Sequence, residues 1–295
     1  MKLDDVQGDR RVQDRRGRGP GGGAGGGLGG MGKGVKLGVP GLIAMVVVFA
    51  LTQMGGGGGG GGLGEVLGQL TSGGAGVSQE VPASENSSYD AQEEFADKVT
   101  TLLSDYWEPI FVESEQEFRA PYVAVFDSPT RTGGCGVGQP EAGPFYCPAD
   151  DTIYIDFGFY ERLEKQLGFS GDFAMAYVLA HEYGHHVQNL LGIDDQVRSE
   201  QQGASTTEAN ALSVKVELQA DCFAGLWAKQ AEAQDRLEAG DFDEAIDAAS
   251  AVGDDAIQGD SADRDTFTHG SSAERKQWFR TGFDSGDPAR CDTFG

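Results

Sequence analysis

Glycine placement constrains this chain more than any other feature. Of its 47 glycines, 28 fall in residues 1–80, gathered in a tract over 21–30 and the unbroken run Gly55–Gly62. Polyglycine has the most backbone entropy to lose and no side chain to bury, so neither tract belongs to a packed core. Between them lies an uncharged stretch of 18 residues, Leu37–Met54. As a helix it would span about 27 Å, against a hydrocarbon core of roughly 30 Å. Glycine on both sides leaves it nothing to pack against as a core helix. The 36 residues ahead of it are long for the charged region of a signal peptide, and no small-x-small cleavage pattern follows it. The expectation is a basic, Gly-rich, disordered leader over 1–36, a transmembrane anchor over 37–54, a flexible linker over 55–88 and one folded domain over 89–295.

Charge changes sign across the apolar stretch. Residues 1–36 hold eight basic and four acidic residues, and the remainder holds 14 basic and 43 acidic. The positive-inside rule then predicts a single-pass protein of the cell membrane, with a cytoplasmic N-terminus and an extracytoplasmic domain. The overall charge of −25 argues against nucleic acid as a partner, since phosphate binding needs a basic face. All four cysteines follow the apolar stretch, on the side where disulfides persist. Cys135 with Cys147 would close a local loop, and Cys222 with Cys291 would tie down the C-terminal tail. Free buried thiols are the alternative.

The domain reads as mainly helical α+β. Phe95, Val99, Leu102, Leu103 and Tyr106 recur at helical spacing, and Tyr122–Phe126 and Thr152–Asp156 read as strands. Helices are expected over 159–167, 172–191, 207–237, 242–257 and 271–283. The segment that carries chemistry is Tyr177-Val-Leu-Ala-His-Glu-Tyr-Gly-His-His186, which contains H-E-x-x-H. On a helix, His181 and His185 share a face and can hold one Zn²⁺, while Glu182 at its edge can act as general base on a metal-associated water. The metzincin pattern needs glycine at 188 and histidine at 191; Gln188 and Leu191 exclude it.

A third ligand must come from elsewhere. Glu217 and Asp221 lie one turn apart on an apolar-flanked helix, where Glu217 can ligate and Asp221 can accept the free N–H of a ligand histidine. Glu208, Asp194 and Asp195 are the alternatives. His269, in Thr-His-Gly-Ser-Ser, is a candidate catalytic donor to the developing oxyanion. The competing reading makes that segment a helix cap, with Ser271 or Ser272 at the N-cap and Glu274 behind it. His186 points about 100° from His185 and is read as a neighbour of the site rather than a ligand. Tyr177 and Tyr183 read as packing residues.

Together these residues resemble the neutral zinc metallopeptidase family of bacterial membrane-anchored proteins, whose motif logic is that of the gluzincins. The resemblance rests on Val12-Gln-Asp-Arg-Arg-Gly17, Gly143-Pro-Phe-Tyr-Cys-Pro148, Ile153-Tyr-Ile-Asp156, His181-Glu-Tyr-Gly-His-His-Val-Gln188 and Glu217-Leu-Gln-Ala-Asp-Cys-Phe-Ala-Gly225. Thr268-His-Gly-Ser-Ser272, Trp278-Phe-x-x-Gly282 and Gly286-Asp-Pro288 complete it. It covers nearly all of residues 90–295. It implies a zincin-like metalloendopeptidase with one zinc per chain, His181 and His185 as ligands, Glu182 as the catalytic residue, and a peptide or protein substrate. Fold analogy adds that the strand Thr152–Asp156 would edge the cleft and pair with an extended peptide. The rival readings are a zinc-bearing but inactive peptide-binding or scaffold protein, and a membrane protein in which zinc only supports folding.

Overall fold

The computed structural model describes residues 1–17, 87–158, 161, 165 and 171–295. The expected anchor over 37–54, the linker over 55–88 up to residue 86, the rest of the leader and nearly all of the expected helix over 159–167 lie outside these residues. No helix among the described residues is long and apolar enough to cross a membrane.

The domain is mainly helical with a small sheet. In chain order the strands are β1 (Val12–Asp14), β2 (Tyr122–Val125), β3 (Thr130–Arg131), β4 (Val137–Gly138), β5 (Phe145–Cys147) and β6 (Thr152–Ile155). The α-helices are α1 (Ser87–Glu113), α2 (Asp172–Leu190), α3 (Ile193–Gln201), α4 (Thr206–Ala233), α5 (Asp241–Ala251), α6 (Asp254–Gln258) and α7 (Ser272–Ser285). The main sheet runs β1-β2-β6-β5, with β1, β2 and β6 parallel and β5 antiparallel to β6.

Strand alternation divides the core. Val123, Val125, Ile153 and Ile155 face the helices, while Ala124 and Tyr154 face a smaller cluster with Phe126 and Cys147. Because β6 is covered on both faces and paired along both sides, the expectation that it edges a cleft is corrected. The edges belong to β1 and, next to β6, to β5, and the pattern could not show this, because alternation identifies a strand without naming its neighbours.

The disordered leader is also corrected over residues 1–17. Val12–Asp14 add a strand to the sheet beside β2, and Met1 and Leu3 are buried in the main core. Three residues flanked by arginines carry no periodic signal, so only the waiting edge of β2 makes them a strand.

The helix α2 is buried on nearly every side, including Phe173, Tyr177, Leu179, Tyr183 and Val187. It stops at Leu191, where Gly192 turns left-handed with φ +73°. Capping boxes start α4 (Ser205 with Glu208) and α7 (Ser271 with Glu274). The expected helix over 242–257 is broken into α5 and α6. The break comes at Gly253, where a Cβ would stand 2.3 Å from the backbone nitrogen of Ser272. Disulfides join Cys135 to Cys147 and Cys222 to Cys291.

Candidate metal centre

The helices α2 and α4 pack side by side at close range. Gly184 faces Ala220, where an added Cβ would lie 3.0 Å from the Ala220 Cα. That approach sets His181 and His185 opposite Glu217. Nε2 of His181 is 3.2 Å from Glu217 Oε2, and Nε2 of His185 is 3.6 Å from Glu217 Oε1. Among the described residues these three offer ligand atoms within 4.8 Å of one another. Glu217 is 4 % exposed and His181 is 7 % exposed.

Each ring has its other nitrogen engaged. Nδ1 of His181 donates to Asp221 Oδ1 at 2.9 Å, and Nδ1 of His185 donates to the Gln188 side-chain oxygen at 2.9 Å. Gln188 is itself oriented, because its amide N–H groups go to the Val216 carbonyl at 2.8 Å and to Gln219 at 3.0 Å. Both rings are thereby oriented with Nε2 toward Glu217.

Asp221 is fully buried and saturated with donors. Arg275 of α7 grips it with Nε at 2.8 Å and Nη2 at 2.9 Å, and the Tyr177 hydroxyl donates to it at 2.5 Å. Burial alone would raise the Asp221 pKa, but Arg275 and His181 outweigh it and hold the carboxyl at about 2. Burial likewise opposes a charge on His181, yet Asp221 and Glu217 carry its pKa up to about 9. Glu217 is held far below the usual carboxylate range: burial pushes it up, and His185, His181 and His269 more than reverse that. The centre is therefore built around a positive charge.

Glu182 lies beside the histidines, 8 % exposed. Burial raises its pKa, against the pull of His185, His181 and the backbone N–H of Tyr146 on β5. His269 is also buried. Its Nδ1 is 3.2 Å from Asp254 Oδ1, while Asp254 Oδ2 accepts the backbone N–H groups of Thr268 (2.8 Å), His269 (2.6 Å) and Gly270 (2.9 Å). Gly270, at φ +90°, rests on Val214 and Leu218 of α4, the helix that carries Glu217. The segment thus caps α7 through Ser271 and also brings His269 beside the centre.

Other weighed residues lie elsewhere. His186 turns toward the sheet, donating Nε2–H to the Arg119 carbonyl at 2.6 Å with Nδ1 2.9 Å from the Tyr146 hydroxyl, and burial lowers its pKa to about 4. Glu208 serves the α4 cap, and Asp195 pairs with Arg198. Asp194 feels the His185 charge but is not among the clustered ligand atoms. Tyr183 shares a hydrogen bond with Ser104 at 3.0 Å. Arg275, Gln188 and Asp254 were missed from sequence, and the only local signal was a basic residue inside the Ser-Ser-Ala-Glu-Arg cap.

A family described as "Putative neutral zinc metallopeptidase" matches residues 1–294. The uncharacterized protein YpfJ of Escherichia coli (strain K12) is 44% identical over 269 residues, covering 90% of each chain. The uncharacterized protein Rv2575 of Mycobacterium tuberculosis (strain ATCC 25618 / H37Rv) is 42% identical over 202 residues, 64% of this chain and 66% of its own. No solved structure matches.

Proposed function

The chain belongs to the neutral zinc metallopeptidase family, and from that premise we propose that it hydrolyses peptide bonds as a membrane-attached, zincin-like metalloendopeptidase. The observation that carries this reading is the convergence of two Nε2 atoms and one carboxylate, with both Nδ1 protons held from behind. Two imidazoles and a carboxylate are the donor set of a catalytic zinc site, in which three protein ligands leave one position open. His181, His185 and Glu217 would hold one Zn²⁺ per chain, which polarises water and the scissile carbonyl.

The chain's own groups supply the rest. Glu182 takes the proton of the attacking water and returns it to the leaving amine. Its burial favours this exchange by bringing the carboxyl nearer to neutral pH. Asp221, gripped by Arg275, keeps the His181 ring from turning. His269, braced by Asp254, donates to the substrate carbonyl oxygen as that oxygen gains charge. The edge strand β5, beside α2, pairs with an extended substrate through backbone hydrogen bonds and excludes water from one side. Residues 37–54 attach the enzyme to a membrane.

The test is a matched pair of full-length proteins in detergent, wild type and Glu182→Gln, assayed for bound zinc and for cleavage of casein. One zinc per chain in both, with cleavage in wild type alone, supports the peptidase and its base. Zinc in both without cleavage in either favours the peptide-binding reading. Absence of zinc from both folded proteins overturns the proposal.

A further inference from the structure

Residues 1–17 are built into the domain along their whole length. The parallel ladder of β1 with β2 includes Val123 N–H donating to the Arg11 carbonyl at 3.1 Å and Arg15 N–H donating to the Val125 carbonyl at 2.7 Å. Upstream, Asp97 of α1 accepts the backbone N–H groups of Arg10 and Arg11, each at 3.2 Å. Gly8 passes so close that a Cβ there would overlap the Asp97 carboxylate. The Met1 ammonium lies among Asp172, Glu238 and Asp241 at 2.6–3.3 Å, on the first turn of α2 and the start of α5.

The two ends of the excursion over 18–86 meet the fold at neighbouring places. Gly17 N–H donates to Asp127 at 2.9 Å, and Arg16 is ion-paired with Glu93, less than two turns into α1. A strand cannot be hydrogen-bonded to its sheet across a bilayer. We infer that residues 1–17 and the peptidase domain lie on the same side of the membrane.

A single crossing by 37–54 would separate β1 from β2 by roughly 30 Å of hydrocarbon. A return crossing would need a second spanning element from 18–36 or 55–86. The first contains the glycine tract 21–30 with Arg18, Lys33 and Lys36, and the second contains Gly55–Gly62 with Glu65 and Glu80. Hydrocarbon tolerates only backbone that satisfies its own polar groups as a helix or closed barrel, and glycine is a poor helix former.

The structure also explains why the charge rule points the other way. Several of the leader's basic residues are committed to the fold. Arg11 pairs with Asp9 and donates to the Ala120 carbonyl, Arg15 reaches the Tyr154 hydroxyl at 3.1 Å, Arg16 pairs with Asp14 and Glu93, and Lys2 meets Asp235. They are structural charges, so their sign says little about which face of the membrane the leader occupies.

This inference rests on the membrane attachment proposed above, which is tested separately by whether the full chain sediments with membranes. The sidedness test uses the full chain in intact cells. The native cysteines are paired in disulfides, so a single exposed cysteine is introduced as Asp4→Cys in the leader or Val112→Cys in the domain. A membrane-impermeant maleimide is applied before and after permeabilisation. The expected result is the same intact-to-permeabilised labelling ratio at both positions. Labelling of one position in intact cells and of the other only after permeabilisation would overturn the inference. As a second measurement, a protease site is placed in Gly55–Gly62 and the chain is cut after extraction into mild detergent. The N-terminal fragment should stay bound to the domain, and its release would also count against the inference.

Discussion

A histidine that ligates through Nε2 needs its Nδ1 proton anchored, and the two anchors here differ in kind. His185 leans on a neutral chain through Gln188 and Gln219 to the Cys291 carbonyl, whereas His181 leans on the charged group Asp221–Arg275. Arg275→Met would leave the Asp221 charge buried without its partner. We expect a loss of about 3–5 kcal/mol in stability and of roughly 10–100-fold in zinc affinity, read by thermal unfolding and by competition with a chelating dye. Arg275→Lys, which keeps the charge and loses the fork, should fall between. His269→Ala should lower kcat by about 10²–10³-fold with zinc stoichiometry unchanged; a parallel loss of zinc would make His269 part of the metal site instead. At this scale the readable part was local. His181, Glu182 and His185 are tied by one helical turn, as are Glu217 and Asp221. Arg275 and Asp254 act from separate segments, and their own neighbourhoods do not show which groups they will meet.

Helix-to-helix contact carries the positioning. The helices α4 and α7 cross at backbone distance, with Gly225 against Phe279 and Gly282 against Cys222. A Cβ at either glycine would stand 2.0 Å from the facing carbonyl oxygen. This close crossing lets Arg275 reach Asp221 from a different helix. Gly225→Ala should push the helices apart, destabilise the fold by about 1–3 kcal/mol or more, and weaken zinc binding although the residue touches no ligand. A thermal melt and a zinc titration on the same variant check both. The Cys222–Cys291 bond fastens the tail to α4 across 69 residues of sequence. In the chain-entropy model a loop of that size is worth roughly 4 kcal/mol, so a Cys222→Ala/Cys291→Ala double variant should melt well below wild type. The glycines of the Glu217–Gly225 and Trp278–Gly282 segments were visible as motif, but their purpose appears only once the two helices are opposed.

Over the whole molecule, metal and fold should be linked, because Glu217 and the two histidines bridge α2 and α4. Zinc present at 100 times its dissociation constant would add about 2.7 kcal/mol. Chelation should therefore lower the melting temperature of wild type, while a Glu217→Ala variant should be insensitive to chelator. The periodic and local features were determined by the sequence alone: a buried helix bearing H-E-x-x-H, a second helix with Glu217 and Asp221 one turn apart, and the cap of Ser271 with Glu274. Each arises from residues within a few positions of one another, where helical spacing decides which side chains meet. Tertiary structure alone decided that β6 is an inner strand with β5 at the edge beside it, that Arg275 and Asp254 brace the site, and that residues 1–17 add the strand at the opposite edge. Those pairings join segments tens to hundreds of residues apart, and a strand or an arginine carries no mark of its partner until the chain has closed around both.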